Sequence, residues 1–135
     1  ITFKETIMDY TISKKVNKNF IAAVDAVTGE LKKEGFGVIT EIDLKEKLKE
    51  KLGVDFRNYK ILGACNPALA HKAVQLEDKI GVMLPCNILI QEKQNGEVEV
   101  SAINPLNSIG GVENEALHSI AEEVSGKLQN VIDRI

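Results

Sequence analysis

Two cysteines are the residues of this chain whose type and spacing are best suited to chemistry. Cys65 and Cys86 are each followed directly by an asparagine, Asn66 and Asn87, and a proline lies beside each pair. A pair of thiols can act in redox chemistry, can ligate a soft metal ion, or can pack as small apolar side chains. The sequence therefore gives these four residues as the candidate ligand or thiol site, with all three readings open.

The surroundings of the two thiols favour packing over reactivity. Cys65 ends a predicted strand just before a predicted helix, whose N-terminus favours a thiolate by about 0.3–1 kcal/mol. Burial acts in the opposite direction and can be the larger effect. Cys86 lies among Leu84, Ile88 and Ile90, where a thiol is expected to be inert. The spacing of the two cysteines is not the Cys-x-x-Cys spacing of thiol oxidoreductases.

Metal binding and general catalysis receive less support. His71 follows Cys65 by six residues but falls outside the apolar stripe of its predicted helix. The set Cys65, Cys86 and His71 is therefore a weak zinc candidate, since structural zinc takes a fourth ligand, although two thiolates could hold Cu(I). The sequence has no glycine-rich phosphate loop and no Ser–His arrangement at motif spacing. We predict no cofactor and assign no catalytic residue, which favours a protein that is not an enzyme.

Composition limits the class of protein and its partners. The chain has 135 residues, 44% of them apolar and 27% charged, with a net charge of −3. These values are typical of one globular domain, which we place over residues 1–135. The chain has few aromatics and only two arginines, and its main basic run alternates lysine with glutamate, so no nucleic-acid partner is expected.

Targeting signals are not recognised in the sequence. No apolar run approaches the ~18 residues of a membrane span, and the N-terminal residues lack the apolar region of a signal peptide. Two cysteines do not imply a disulfide framework. From these features we expect a cytoplasmic protein with reduced thiols and no membrane partner.

Hydrophobic periodicity predicts the order of the elements. Alternation with a period of two predicts strands, and apolar residues every three or four positions predict helices, the longest of them at the C-terminus. The resulting order is β-α-β-α-β-α-β-β-α. This order predicts an α+β two-layer sandwich in which helices pack on a mixed sheet of about five strands.

The segment that contains Cys86 is predicted to be an unusually long strand. Residues 80–90 are apolar on both faces near the middle, which is typical of a strand covered on both sides. Pro85 lacks a backbone donor, so we expect an edge position or a bulge at this point.

The pattern of apolar residues on either side of the next hairpin predicts its strand register and the length of its loop. A three-residue loop over 94–96 pairs Ile90 with Val100 and Ile88 with Ala102, which keeps apolar side chains together. A two-residue Asn-Gly loop would break this matching. We therefore predict the three-residue loop, closed by a glycine in the left-handed conformation.

Several separated motifs resemble one known family. The stretches "YKILGACNPALAHKAV", "IGVMLPCNILI" and "VEVSAINP" occur in this order and are similar to the domain-of-unknown-function 302 family. The resemblance runs from about Tyr10 to residue 135. It implies a fold resembling the two-layer arrangement of the TATA-binding-protein-like class, and a homodimer, but it implies no activity. The positions that match the motifs are Cys65, Asn66, Pro67, Pro85, Cys86 and Asn87.

Together these observations favour an α+β module that binds a small ligand or a protein partner without a conventional catalytic apparatus. The alternative is a thiol-based redox or metal-responsive protein that uses Cys65 and Cys86.

Overall fold

The computed structural model describes residues 9–135 of the chain. The described residues have an α+β fold with five strands, five helices and one 3₁₀ turn. In chain order the elements are β1 Thr11–Val16, α1 Phe20–Lys33, β2 Gly37–Asp43, α2 Leu44–Leu52, β3 Tyr59–Cys65, α3 Pro67–Leu76, the 3₁₀ turn Ile80–Met83, β4 Cys86–Glu92, β5 Val98–Ile103, α4 Pro105–Ser108 and α5 Glu115–Asp133. The α+β class and the predicted order of the main elements are confirmed.

Side-chain caps explain where the helices begin. Asn19 accepts a hydrogen bond from the backbone N–H of Ala22 (2.8 Å) at the start of α1, and Asp43 caps α2 in the same way. Asn66 caps α3 and is followed by a proline, whose missing N–H is no loss in the first turn. Each of these caps satisfies a backbone donor that the helix itself leaves unpaired.

The five strands form one sheet in the order β1-β5-β4-β3-β2, and every pairing is antiparallel. A mixed sheet was expected, because helices recur between the strands. The expectation was wrong for a topological reason. Helix α1 joins β1 and β2, which run in the same direction but lie at opposite edges and never pair. Helices α2 and α3 each return the chain beside the strand it has just left.

The core lies between one face of the sheet and the helices. Leu62, Ile88 and Val100 are fully or almost fully buried on that face, and α1 and α5 supply Val27 and Leu128 from the other layer. The core is aliphatic, as the composition predicts. Burial of such side chains stabilises the fold by roughly 1.5–3 kcal/mol each.

The opposite face of the sheet carries the alternate residues of each strand, and these are more exposed. The paired residues Ile61, Leu89, Ser101 and Ser13 cross this face in one row, and none of them is fully buried. Strand β4 is therefore covered on one side only. The described residues thus do not cover this segment on both sides as predicted, and three of its apolar residues, Ile80, Val82 and Met83, belong to another element.

That element is the 3₁₀ turn. Residues Ile80–Met83 do not continue the strand, which begins at Cys86 immediately after Pro85. Strand β4 is central and pairs on both sides, so Pro85 lies neither at an edge nor in a bulge. It precedes the first paired residue, where a missing donor costs no ladder hydrogen bond. A short apolar run alone cannot distinguish a strand from a helical turn.

The predicted hairpin register is confirmed. Ile88 pairs with Ala102 and Ile90 with Val100, and Gly96 closes the loop with φ +88°. The backbone N–H of Lys93 bonds to the carbonyl of Glu97 (2.7 Å) across the three-residue loop. Matching of apolar cross-strand neighbours therefore decides the loop length.

No helix in residues 9–135 combines the length and the apolar character that crossing a membrane would require.

Candidate functional site

A cavity of about 280 Å³ lies between the end of the sheet and the helices that cover it. Its lining comes from β2, β3, β4 and β5, from α3, α4 and α5, and from the 3₁₀ turn with the segments next to these elements. Four of the lining residues are alanines that come from three different elements. They are Ala64, Ala70, Ala73 and Ala121. Alanine side chains are small, so they fill little of the space between these elements.

Both cysteines line this cavity. Cys65 is the last residue of β3, and Cys86, the first residue of β4, pairs with Ala64, the neighbour of Cys65. Neither thiol takes part in a disulfide, and both are partly buried. The topology thus brings the two cysteines to the same end of the sheet, although twenty residues separate them in sequence.

The environment of Cys86 keeps its thiol protonated. Burial raises the pKa of the Cys86 thiol to about 11, and the nearby Cys65 raises it further. Desolvation disfavours the charged form, and a second thiolate close by would add like-charge repulsion. The neutral thiol is a poor nucleophile and a poor metal ligand at physiological pH. This property agrees with a packing role for Cys86.

Asn66 also lines the cavity, but its amide is occupied by structural hydrogen bonds. Its Oδ1 accepts from the backbone N–H of Leu69 (3.3 Å), and its Nδ2 donates to the carbonyl of Glu34 (3.3 Å). The side chain therefore begins α3 and ties it to the end of α1. The cap was predicted from the sequence, whereas the bond to Glu34 depends on tertiary structure.

Asn87 and His71 do not belong to the cavity. Asn87 is exposed and lies opposite Gly63 on the uncovered face of the sheet, because successive residues of a strand point to opposite faces. The structure therefore does not bring Asn87 to the cavity that Cys86 lines. His71 is exposed on α3 and is not among the lining residues. The described residues contain no group of three or more His, Cys, Asp or Glu side chains placed to hold a metal ion.

Several lining residues were not singled out from the sequence. Ser108 of α4 provides the one hydroxyl that residues 9–135 contribute to the lining, and Ile39 and Met83 lie at the cavity with exposed side chains. Ile39 occupies the irregular position of β2, between Val38 and Thr40, where the pairing register shifts. The run of alanines on the core-facing stripes of α3 and α5 was the available signal, since small residues on facing elements leave space.

The lining contains no Asp, Glu, Lys, Arg or His side chain from the described part of the chain. Its polar side-chain atoms belong to the two thiols, one amide and one hydroxyl, and the remaining surface is aliphatic or aromatic. The site can therefore accommodate an apolar molecule but offers no charged partner for an ionic one.

Comparison with known proteins places this chain in a family. Residues 12–135 match the family described as "Domain of unknown function DUF302". The chain belongs to the DUF302 family. Membership covers nearly the whole described domain and confirms the resemblance seen in the sequence motifs. No curated protein matches the chain.

A solved DUF302 structure has the same fold. It is the crystal structure of an uncharacterized conserved DUF302 protein from Bacillus stearothermophilus, with a TM-score of 0.86 and 29% sequence identity. The similarity covers 93% of this chain and 97% of the other. The DUF302 fold is therefore shared over the whole domain.

Proposed function

We propose that this DUF302 domain binds a small, uncharged and largely apolar molecule in the cavity beside Cys65 and Cys86. The observation that carries the proposal is a cavity of about 280 Å³ to which residues 9–135 contribute no charged side chain. Binding sites for small molecules are usually concave, largely apolar and provided with few polar groups.

The size of the cavity indicates the size of the ligand. An apolar cavity of roughly 150 Å³ is sufficient to bind benzene, whereas sites for drug-sized ligands begin at about 300 Å³. The DUF302 cavity lies near the lower end of the range for drug-sized ligands. A ligand with one or two rings, or a short branched chain, fits this volume.

The polar groups of the cavity restrict the chemistry of the ligand. The Ser108 hydroxyl lies 3.5 Å from the carbonyl oxygen of Pro105, so its internal hydrogen bond is long and a ligand could replace it. The Asn66 amide is already used, and the thiols are weak donors. The ligand should therefore carry at most one polar atom, such as a hydroxyl or carbonyl oxygen.

Titration with simple apolar probes tests the proposal. Toluene, indole and 2-naphthol are added to the ¹³C-methyl-labelled protein, and NMR shifts of the lining methyl groups are followed together with heats of binding. The test variant is Ala70→Leu, which fills the cavity. The matched control is Ala68→Leu, the same change at an exposed position of the same helix.

At least one probe should bind saturably to the wild type and to Ala68→Leu, with a negative heat-capacity change. Binding to Ala70→Leu should be weaker by about tenfold or more, because the added side chain occupies the same space; tenfold corresponds to about 1.4 kcal/mol. If no probe shifts the lining methyl groups saturably in the wild type, the proposal is wrong.

The thiol-based alternative has one observation in its favour, namely that Cys65 and Cys86 line the same cavity. A redox or metal-responsive role requires at least one thiol that reacts in the folded protein. Native titration with a maleimide, with and without reductant and with added Zn²⁺ or Cu(I), tests this role. Thiols that stay unreactive until the protein is denatured would exclude it, whereas protection by either metal would support it.

A further inference from the structure

Arg57 does not line the apolar cavity, and its guanidinium group lies over two aromatic rings. Its guanidinium carbon is 4.5 Å from the centroid of the Phe56 ring and 5.4 Å from that of Tyr59. The two rings are themselves in contact, with centroids 5.8 Å apart. Contacts of this kind attract the cation electrostatically and fix the plane of the guanidinium group.

Hydrogen bonds fix the remaining orientation of the group. Arg57 donates from Nε (3.1 Å) and from Nη2 (3.0 Å) to Oε1 of Gln91, which is a neutral acceptor. These bonds use one edge of the guanidinium. The other edge, formed by both Nη1 hydrogens and the second Nη2 hydrogen, makes no hydrogen bond within residues 9–135. That edge is the fork that matches a carboxylate or phosphate.

The charge of Arg57 also lacks a carboxylate partner among the described residues. Arg134, the other arginine of the chain, binds Glu30 and Glu34 at 2.7 Å each. No Asp or Glu oxygen of residues 9–135 lies within 4 Å of the Arg57 guanidinium. The two arginines therefore differ: one is neutralised within the protein, and the other is held in place but not neutralised by the described residues.

Arg57 also lines a shallow groove on the surface. Arg57, Gln91, Lys93, Gln94 and Asn95 line this groove. Lys93 adds a second positive charge, and Glu99, which binds Lys93 at 3.3 Å, offsets one of the two. The five lining residues themselves carry two positive charges, no carboxylate and three side-chain amides.

We propose that the Arg57 groove is a binding site for a small oxyanion, either a carboxylate or a phosphate. Its orientation is set before the ligand arrives, so little side-chain freedom is lost on binding. The site is partly exposed, so the simplest anions are expected to bind weakly. The proposal is independent of the ligand in the apolar cavity.

The two arginines allow an internally controlled test. The protein is labelled with ¹⁵N, and the Nε–H signals of Arg57 and Arg134 are followed during titration with sodium acetate or sodium phosphate at constant ionic strength, maintained with chloride. The Arg57 signal should shift saturably, whereas the Arg134 signal should not, because two carboxylates already bind that side chain. Saturation by acetate, by phosphate or by both tells which anion geometry the groove accepts.

Variants separate recognition from general electrostatics. Arg57→Lys keeps the charge but loses the planar fork, and it should weaken anion binding by about tenfold. Its folding is checked by circular dichroism, and the wild-type titration gives an answer even if this variant does not fold. The proposal fails if neither anion shifts Arg57 saturably, if Arg57 and Arg134 respond equally, or if folded Arg57→Lys binds as well as the wild type.

Discussion

The ring of Pro85 packs against the backbone of Gly63 so closely that a Cβ atom at position 63 would lie 2.8 Å from Cγ of Pro85. The same Cβ atom would collide with Oγ1 of Thr40 from the neighbouring strand. Gly63 therefore allows β2, β3 and the segment before β4 to approach one another at the end of the sheet that carries the cavity. Neither the proline ring nor a threonine on a paired strand can move away freely.

We expect Gly63→Ala to lower the free energy of unfolding by about 1–3 kcal/mol, because the added methyl overpacks this contact. Urea denaturation measures the change. Gly29→Ala is the matched control, since Gly29 is an exposed residue of α1 and an added Cβ atom there would meet no other atom within 4 Å. That change should instead stabilise the protein by about 0.5–1 kcal/mol. Equal effects of the two substitutions would contradict the steric account.

The two asparagines that follow the cysteines should differ in their effect on stability. Asn66→Ala removes the cap of α3 and the bond to Glu34, so we expect a loss of about 1–2 kcal/mol. Asn87→Ala changes an exposed side chain and should stay within about 0.5 kcal/mol of the wild type. Thermal and urea unfolding of both variants checks this difference. A larger loss for Asn87→Ala would indicate a role that its exposed position does not explain.

The raised pKa of Cys86 predicts a specific loss of stability in alkali. The folded protein retains the thiol proton up to a pKa of about 11, whereas the unfolded chain releases it near the ordinary value of 9.0. Between these values the folded state binds more protons, so the free energy of unfolding falls as the pH rises. The contribution falls by about 1.4 kcal/mol per pH unit in this window.

Urea unfolding of the wild type and of Cys86→Ala between pH 8 and 11 measures this contribution, because other titrating groups are common to both proteins. The wild type should lose stability more steeply than the variant above roughly pH 9. Parallel curves would show that the Cys86 thiol titrates alike in the folded and unfolded states.

The ion pairs of Arg134 with Glu30 and Glu34 should make the stability of the protein depend on pH in the acid range. Hydrogen bonds to Arg134 lower the pKa values of Glu30 and Glu34 in the folded protein. Their stabilisation is present above the pKa of the unfolded chain and is lost as the pH falls through the folded values. The stability difference between the wild type and Arg134→Gln should therefore be largest near pH 6 and shrink toward roughly pH 3. A difference that does not depend on pH would mean that Arg134 acts through packing alone.

The homodimer implied by the family resemblance stays a prediction. Ile42, Ile61 and Leu89 are incompletely buried apolar residues on the uncovered face of the sheet, where a second copy could pack. Size-exclusion chromatography with light scattering should give twice the 14.8 kDa chain mass at micromolar concentration. Leu89→Lys should shift the mass toward the monomer if this face forms the interface. A wild-type monomer at that concentration would contradict the prediction.

Local patterns in the sequence determined much of the fold. The caps at Asn19, Asp43 and Asn66 depend on residues three positions away, so they can be read without tertiary information. The hairpin register followed from matching apolar neighbours over about fifteen residues. Family motifs at separated positions were sufficient to indicate the DUF302 fold.

Only the tertiary structure shows where β4 begins, on which face Asn87 lies and which strands are neighbours in the sheet. The apolar alternation of residues 80–90 extended through a 3₁₀ turn, and only the position of the sheet shows that β4 begins at Cys86. Asn87 shares a motif with Cys86 but lies on the opposite face. Strands β1 and β2 run in the same direction, so the sheet would be mixed if they were neighbours and is antiparallel because they are not. The connecting helices alone do not determine which strands become neighbours.

The two proposed sites depend most strongly on long-range placement. The cavity exists because alanines at positions 64, 70, 73 and 121 face one another from β3, α3 and α5, and the Arg57 groove exists because β3 and β4 pair in one register. Sequence periodicity tells which side of an element is buried, because that depends on neighbouring residues. It does not tell which buried sides meet, because that depends on how the whole chain minimises its exposed apolar surface.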